Sequence, residues 1–168
     1  MKTRDPRVLR LTHGALLAAL YVALTMIFAP ISFGPVQLRV AEALCIMPMF
    51  TPAAIPGLFL GCLIANILGG GVIFDVIFGS LATLIGAVLG YMLRNNRWLV
   101  PVPAIIANTI IIPFVLKYGY GIVDVALPVL AFQIFLGEVG GCFILGELLC
   151  TALRKSGAMT EIFENKTE

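Results

Sequence analysis

Charge is scarce in this sequence. Of its 168 residues, 12% are Asp, Glu, Lys or Arg and 60% are hydrophobic, whereas soluble domains are about half apolar and about a quarter charged. This imbalance excludes an ordinary soluble domain and predicts an all-α integral membrane protein. A chain of this length has room for about five or six helical spans of about 20 residues each, with almost nothing left for a soluble part.

Several motifs are also missing, and each absence removes a class of function. No GxxxxGK[ST] segment is present, so the chain cannot bind a nucleotide through a P-loop. His13 is the only histidine, which argues against a metal site or a catalytic triad, and no basic stripe supports nucleic-acid binding. We therefore expect no enzyme, no metal and no cofactor. The cysteines form no CxxC pair and are interpreted as small apolar packing residues: Cys45, Cys62, Cys142 and Cys150.

Long apolar runs predict six transmembrane helices in a single membrane domain, residues 1–168. Pro48, Pro52 and Pro56 interrupt the second and third runs, which are therefore short for a full crossing. These two runs form either short spans or a re-entrant hairpin. The predicted spans cover residues 9–29, 38–51, 53–68, 72–93, 99–116 and 126–153, between an N-terminal segment at 1–8 and a tail at 154–168.

Lysine and arginine are unequally distributed between the two predicted sides of the membrane. Nine lie on the side of both termini and two on the other side, which predicts a multi-pass protein of the cell membrane with both termini in the cytoplasm. The nine are Lys2, Arg4, Arg7, Arg10, Arg94, Arg97, Arg154, Lys155 and Lys166, and the two are Arg39 and Lys117. The loop at 117–124 is then expected at the outer face.

Four carboxylates lie within the predicted apolar runs. Each needs a partner or a function, because a charge in lipid costs a few kcal/mol. They are Glu42, Asp75, Glu138 and Glu147, and Arg39 is the one base among them. This acid excess favours a ligand that is cationic or rich in N–H donors, or else protons. By depth, eight polar residues are expected to converge on an outward-facing binding pocket: Gln37, Arg39, Glu42, Asn66, Asp75, Asn108, Gln133 and Glu138.

Structural roles stay open for the same side chains. Arg39 and Glu42 have the spacing of an ion pair on one helical face. Asp75 is placed to cap the start of its own helix. The amide side chains of Asn66, Asn108 and Gln133 are suited to hydrogen bonds between helices.

Two further groups of residues are assigned outside the pocket. Glu147 lies on the opposite helical face from Glu138, near the cytoplasm, where Arg154 is the expected partner. Tyr118 and Tyr120 are either interfacial aromatics or a lid that stacks on a flat ring.

Small residues recur at every fourth position in several predicted helices. Such stripes let helices approach closely, and most are expected to pack inside the molecule. One surplus stripe is available to dock a separate membrane subunit. The stripes are Ala15, Ala19 and Ala23; Gly57, Gly61 and Ala65; Ala82, Gly86 and Gly90; and Gly137 with Gly141.

Three blocks of sequence resemble a known family. They are QLRVAEAL at 37–44, PAAIPGLFLGCLIAN at 52–66 and, after a glycine turn, FDVIFGSLATLIGA at 74–87. The blocks resemble the queuosine-precursor transporters, which are QueT-like substrate-binding subunits (S components) of energy-coupling factor (ECF) transporters. The resemblance spans nearly the whole chain and implies a six-helix subunit that joins a transmembrane coupling subunit and two cytoplasmic ATPase subunits. It also implies that the stripe Ala15, Ala19 and Ala23 docks this partner.

The resemblance implies 7-deazaguanine substrates: 7-cyano-7-deazaguanine, its 7-aminomethyl relative, or queuine. Their ring offers adjacent N1–H and N2–H donors that fit a carboxylate, and an O6 acceptor that suits Arg39 or an amide. We expect Glu42 to hold this edge with Arg39 orienting it, and Asp75 or Glu138 to meet an aminomethyl cation. Two alternatives stay open: an S component for another small polar metabolite such as a vitamin, and a proton-coupled carrier that uses Glu138 and Glu147 as a relay.

Overall fold

The computed structural model describes residues 5–32 and 37–156, and this part of the chain is all helical, as predicted. Its helices are α1 (Pro6–Ile27), a 3-10 helix (Val40–Met49), α2 (Ala54–Leu68), α3 (Asp75–Met92), α4 (Val102–Gly119) and α5 (Leu127–Ser156). A single helical turn, Ala29–Ser32, follows α1. The predictions for residues 1–4, for the turn at Gly34 and Pro35, and for the tail beyond Ser156 lie outside the described residues.

Four of these helices are long and apolar enough to cross a membrane: α1, α3, α4 and α5. The 3-10 helix and α2 have 10 and 15 residues, which correspond to about 20 Å and about 22 Å of length, against about 30 Å for the hydrocarbon core. The described part therefore has four helices of spanning length where six were predicted. The two short ones are those that the prolines interrupt.

Three of the four spanning helices, α1, α4 and α5, begin at recognisable signals. Asp5 caps α1, because its side chain accepts a hydrogen bond from the backbone N–H of Arg7 at 2.9 Å, and Pro6 opens the first turn. A proline also lies in the first turn of α4 and of α5. These starts fall within a few residues of the predicted boundaries.

The 3-10 helix lies at the centre of the fold. Residues 41–48 are buried, and the helix packs against α1, α2, α3 and α5. A 3-10 run of this length is unusual, because most end after three or four residues. The start of this helix carries Arg39 and Glu42 into the interior rather than to the membrane surface.

Three of the spanning helices contain π-helical turns. These turns cover residues 75–79 of α3, 115–119 of α4 and 139–145 of α5. Asp75 is the first residue of one turn, and Glu138 directly precedes another. Since π turns are frequent at functional sites, their position beside two buried acids points to the same region.

Small residues bring α1 and α2 together. A Cβ atom added to Gly61 would lie 2.7 Å from the Cβ atom of Tyr21, and one added to Gly57 would lie 2.6 Å from the carbonyl oxygen of Gly14. Only glycine permits this approach. The stripes on α2, α3 and α5 are buried, whereas one on α1 is exposed: Ala15, Ala19 and Ala23.

The predicted glycine turn joins α2 to α3. Gly70 has a φ of 71°, in the left-handed region that favours glycine, and the N–H of Gly71 donates to the carbonyl of Asn66 at 2.8 Å. The turn brings Asn66 to the start of α3, where its amide donates to the carbonyl of Asp75 at 3.1 Å. Two predicted site residues are thereby placed side by side.

The predicted pair between Glu147 and Arg154 is wrong. Glu147 Oε2 lies 3.4 Å from Arg97 Nε, while Arg154 Nη2 lies 3.9 Å from the sulfur of Met49. The loop between α3 and α4 carries Arg97 against α5, where its guanidinium also covers the ring of Trp98 at 4.4 Å. Spacing along one helix could not reveal this partner from another.

Candidate functional site

Six of the eight predicted site residues are buried in the interior. Each is at most 6% exposed, and they come from the 3-10 helix with the residue before it, and from α2, α3, α4 and α5. We call this group the polar cluster: Arg39, Glu42, Asn66, Asp75, Asn108 and Glu138.

Arg39 and Asp75 form the ion pair of the cluster. Arg39 Nη2 lies 3.7 Å from Asp75 Oδ2, and their side chains are 6% and 2% exposed. The guanidinium also contacts the sulfur of Cys62 at 3.8 Å and lies in the electrostatic field of Glu42. The pair therefore links the start of the 3-10 helix to α3. Arg39, which the count of lysines and arginines placed on the outer side, is buried among the helices.

Tyr120 covers the same carboxylate from the loop after α4. Its hydroxyl donates to Asp75 Oδ2 at 3.0 Å. Burial, and then the nearby Asp75 carboxylate, raise the pKa of Tyr120 to about 12, so the hydroxyl remains a donor at neutral pH. Tyr118 differs, because 71% of its surface is exposed. Of the two tyrosines considered for a lid, Tyr120 is the one placed over the cluster.

Glu42 is held by α1. The Tyr21 hydroxyl donates to Glu42 Oε1 at 2.5 Å, and both side chains are buried. Tyr21 reaches this position because Gly61 leaves room beside its Cβ atom. One oxygen of Glu42 therefore already accepts a hydrogen bond from a neutral donor.

Glu138 meets a thiol and an amide. Cys142 Sγ lies 3.2 Å from Glu138 Oε2 and 3.8 Å from Glu42 Oε2, so it stands between the two carboxyl groups. The Asn108 side chain lies beside Glu138 from α4. Glu138 and Glu42 are therefore close neighbours around the Cys142 thiol, although they belong to different helices.

A glycine allows this approach. A Cβ atom added to Gly141 would lie 2.8 Å from the carbonyl oxygen of Arg39 and 3.3 Å from the Cβ atom of Glu42. At Gly141 the backbone of the π turn in α5 therefore packs directly against the start of the 3-10 helix, with no side chain between them. A larger residue here would push the two buried carboxyl groups apart.

Two buried acceptor atoms of the polar cluster have no hydrogen-bond donor among the described residues. They are Asp75 Oδ1 and Asn66 Oδ1, on side chains that are 2% and 0% exposed. The donor atoms nearby are turned elsewhere, since Arg39 Nη1 and Asn66 Nδ2 each contact the sulfur of Cys62, at 3.8 and 3.7 Å. Buried acceptors without donors are costly and call for an N–H or O–H group from elsewhere.

Gln37 and Gln133 are half-buried and lie outside the cluster. Gln37 has a φ of 48°, which is rare for a residue other than glycine. Such backbone strain is often found beside binding sites. Six of the eight predicted residues thus lie together in the polar cluster, and Gln37 and Gln133 do not belong to it.

Three side chains of the site were not predicted from the sequence. Tyr21 and Cys142 contact the two glutamates, and Cys62 contacts Arg39 and Asn66. The cysteines were interpreted as small apolar packing residues. All four are buried, as packing residues would be, but Cys62 and Cys142 also contact polar side chains. A usable signal was the spacing of Cys142, four residues after Glu138.

The cluster contains one grouping of possible metal ligands among the described residues. Oxygen atoms of Glu42 and Glu138 and the sulfur of Cys142 lie within 4.8 Å of one another. Three ligands without a histidine fall short of the four that a structural zinc site uses. The grouping suits a cation better than an anion, because three buried carboxyls of the cluster face one guanidinium.

An apolar groove lies elsewhere, between α3 and α4. It has a volume of about 430 Å³, and its lining includes Phe74, Phe78, Phe114 and Tyr118. These side chains are 44% to 71% exposed. The groove offers almost no polar atoms, so it does not fit a polar heterocycle.

Comparison with known proteins decides the family. The QueT transporter family matches residues 11–155. The chain belongs to this family. It is thus a multi-pass membrane protein of a transporter family. Because this family consists of transporters, the expectation that the chain is not an enzyme is confirmed.

One curated relative adds detail. The queuosine precursor transporter QueT of Lactococcus lactis subsp. cremoris (strain MG1363) is 43% identical over 84 residues, which is 49% of this chain and 49% of that protein. The match therefore spans about half the length of the relative. No solved structure matches the chain.

Proposed function

We propose that this protein is the substrate-binding subunit of an ECF-type uptake transporter for queuosine precursors, with 7-cyano-7-deazaguanine, its 7-aminomethyl relative or queuine as substrate. Family membership supports transport, and the Lactococcus relative is named for queuosine precursors. The observation that carries the proposal is the polar cluster, in which three buried carboxyls face one guanidinium. A 7-deazaguanine supplies the N–H donors that such a site lacks.

The cluster favours a particular orientation of the ring. Asp75 Oδ1 and Asn66 Oδ1 have no donor among the described residues, so they suit the N1–H and N2–H edge, with Arg39 beside them for O6. Glu42 already accepts the Tyr21 hydroxyl. We therefore assign the guanine-like edge to Asp75 and Asn66 in place of Glu42, and keep Gln37 and Gln133 as outer contributors.

The exposed stripe Ala15, Ala19 and Ala23 is proposed to dock the transmembrane coupling subunit, which works with two ATPase subunits. Its side chains are exposed, whereas the small residues on the adjoining face of α1 pack against α2. Small residues at fourth positions let a partner helix approach closely. The resemblance to S components supports the same face.

We further propose one membrane domain with both termini in the cytoplasm. The 3-10 helix and α2 together return the chain to the side from which it entered, as two short crossings or as a re-entrant pair. The basic residues support this orientation, since they cluster at the start of α1 and at the ends of α3 and α5: Arg7, Arg10, Arg94, Arg97, Arg154 and Lys155.

Calorimetric titration of the purified chain with the three candidate ligands tests the substrate class. Asp75→Asn replaces an acceptor oxygen with a donor that faces the donors of the ring. A charged hydrogen bond is worth about 1.5–3 kcal/mol, so affinity for all three ligands should fall about 10- to 100-fold. Asp124→Asn, in an exposed loop, is the control and should bind like the parent. Binding of a different metabolite and of none of the three would refute the proposal.

Co-purification with co-expressed coupling and ATPase subunits tests the docking face. Ala19→Leu should block assembly while ligand affinity stays within about threefold, because the bulky side chain prevents close helix contact. Ala126→Leu is the matched control, since Ala126 is also exposed but lies before α5. Loss of ligand binding with the partner retained would show that the stripe serves internal packing. ATP hydrolysis should require the assembled complex.

A further inference from the structure

The apolar groove between α3 and α4 has two aromatic walls. Phe74 and Phe78 stack on α3 with ring centroids 6.2 Å apart, and Phe114 and Tyr118 stack on α4 at 6.4 Å. The planes within these pairs differ by 16° and 11°, so each wall consists of two nearly parallel rings. The volume of about 430 Å³ lies in the range of pockets that bind small molecules.

Aliphatic side chains complete the lining. They are Ile110, Ile111 and Val115, and the hydroxyl of Tyr118 is the one polar side-chain group among the described residues that line the groove. A hydrocarbon chain makes dispersion contacts with such a lining and brings no polar group that would need a partner.

The groove begins at one edge of the membrane. Phe74 directly precedes α3 and Tyr118 lies in the last turn of α4, and a Cβ atom added to Gly119 would lie 3.1 Å from the Cβ atom of Phe74. At 1.5 Å per residue, the stretch from Tyr118 to Ile110 is about 12 Å long. One leaflet contributes about 15 Å of hydrocarbon, which is half of the core. The groove therefore fits a chain that enters from the edge and stays within one leaflet.

The composition of the lining argues against a partner helix in the groove. Transmembrane helices associate through small residues or through hydrogen bonds between side chains, and among the described residues that line the groove none is Gly, Ala, Ser, Thr, Asn or Gln. The stripe proposed for docking lies on α1, which packs mainly against α2 and the 3-10 helix. A thin, flexible chain fits between bulky rings where a helix does not.

Two residues at the membrane edge suit a phospholipid headgroup. Tyr118 is exposed, and tyrosine is typical of the membrane–water interface. Lys117 precedes it in the same π turn, and a lysine near a helix end extends its ammonium towards the headgroups. Of the acids at this end, Asp75 is buried and paired with Arg39, and Asp124 lies farther along in an exposed loop. A lysine in this position attracts an anionic lipid.

We propose that this groove binds one acyl chain of an anionic phospholipid, with the phosphate of the headgroup at Lys117 and Tyr118. The chain lies between the two aromatic walls. The ammonium of Lys117 and the hydroxyl of Tyr118 donate hydrogen bonds to the phosphate oxygens. The proposal does not depend on which substrate the polar cluster binds.

The single tryptophan of the sequence permits a fluorescence test. Trp98→Phe removes the native emission, and Phe114→Trp then places a reporter in the groove. Phe132→Trp is the matched control, because Phe132 is also exposed and is as far from the start of α5 at Leu127 as Phe114 is from the end of α4 at Gly119.

Both reporter chains are reconstituted in phosphatidylcholine vesicles that contain increasing amounts of phosphatidylglycerol with brominated acyl chains, which quench a nearby tryptophan. The groove reporter should show binding of phosphatidylglycerol about fivefold stronger than that of phosphatidylcholine. The control reporter should show a difference of less than about twofold.

Lys117→Gln in the groove-reporter chain tests the headgroup contact. The preference for phosphatidylglycerol should fall to less than about twofold, because the positive charge is lost. Lys155→Gln is the control, since Lys155 is exposed near the end of α5, and it should keep the preference.

Native mass spectrometry tests the chain contact. After a detergent wash, the parent should retain one phosphatidylglycerol, and Phe78→Ala should retain about threefold less because one ring of the wall is lost. Phe135→Ala should behave like the parent, since Phe135 is similarly exposed, at 41% against 44% for Phe78, but lies on α5. The parent and the reporter chains do not need the alanine variant, so poor folding of Phe78→Ala leaves the test intact.

Four outcomes would overturn the proposal. An equal preference at the two reporters would mean that only ordinary bilayer lipid contacts the groove. An unchanged preference in Lys117→Gln would remove the headgroup contact, and parent-like retention in Phe78→Ala would remove the chain contact. Protection of the groove reporter from brominated lipid by a co-reconstituted coupling subunit would show that a protein covers the groove.

Discussion

The two ion pairs at opposite ends of α3 differ in burial. Arg39 and Asp75 are 3.7 Å apart with side chains 6% and 2% exposed, whereas Arg97 and Glu147 are 3.4 Å apart with side chains 33% and 11% exposed. The shorter contact is the more exposed one. Distance alone therefore does not rank these pairs, because the free-energy consequence of losing one partner depends on how far the other is removed from water.

This difference separates a surface contact from the proposed binding site. An exposed pair is worth about 0–1 kcal/mol, while a buried pair offsets a large desolvation cost and leaves an uncompensated charge when broken. Buried carboxyl oxygens without a hydrogen-bond donor among the described residues occur at both ends: Asp75 Oδ1 at one, and Glu147 Oε1 and Oε2 at the other. The proposed ligand site is at the Arg39 end, where both partners of the ion pair are more buried.

The largest expected effect is at the buried pair. Arg39→Met should lower the free energy of unfolding by about 3–5 kcal/mol, because three buried carboxyls lose their cation. Arg97→Met should cost no more than about 1 kcal/mol. Thermal and denaturant unfolding in detergent measures both. Adding Asp75→Asn to Arg39→Met should restore part of the loss, and equal costs for the two arginine variants would contradict the comparison.

An intermediate effect is expected at Tyr21. Tyr21→Phe removes the hydroxyl that donates to Glu42 at 2.5 Å and should cost about 1–3 kcal/mol, since it leaves a buried carboxyl oxygen without its donor. Tyr91→Phe is the control at the other end of α3, where the ring keeps its contact with Arg94 at 4.2 Å. It should change stability by less than about 0.5 kcal/mol. If the two variants unfold alike, the hydroxyl of Tyr21 does not support Glu42.

The smallest expected effect is at Tyr120, which is 39% exposed. Tyr120→Phe should cost about 0.5–1.5 kcal/mol through loss of the hydrogen bond to Asp75. The pKa of Tyr120 is raised from 10.0 to about 12, so its contribution is present below pH 10 and is lost as pH rises towards 12, where the unfolded chain ionises first. Stability of the parent should thus decline more steeply over this range than that of the variant. Parallel declines would show that Tyr120 is not coupled to Asp75.

Much of the fold was predictable because hydropathy is a local property. The apolar runs located α1, α3, α4 and α5, and the prolines marked the two short helices. The π turns were not predictable, since the hydrophobic pattern of α5 does not show where the hydrogen bonding changes at residues 139–145. Burial of six of the eight predicted site residues followed from the cost of placing polar groups in lipid.

Pairing was the part that sequence spacing could not supply. Spacing along one helix indicated Glu42 for Arg39 and Arg154 for Glu147, whereas the structure places Asp75 and Arg97 beside them. Both actual partners come from other elements, and Tyr21 reaches Glu42 across 21 positions of sequence. Contacts of this kind depend on which helices become neighbours.

The sequence by itself determined that this is a membrane protein, that acids outnumber bases in its apolar runs, and which family it resembles. Composition and short motifs are properties of the chain alone and do not depend on which helices pack together. Only the tertiary structure decided that Glu42, Cys142 and Glu138 meet and that the α1 stripe stays exposed. The physical reason is close packing: Gly61 and Gly141 admit neighbours that any side chain would exclude, and their effect appears only when the helices are assembled.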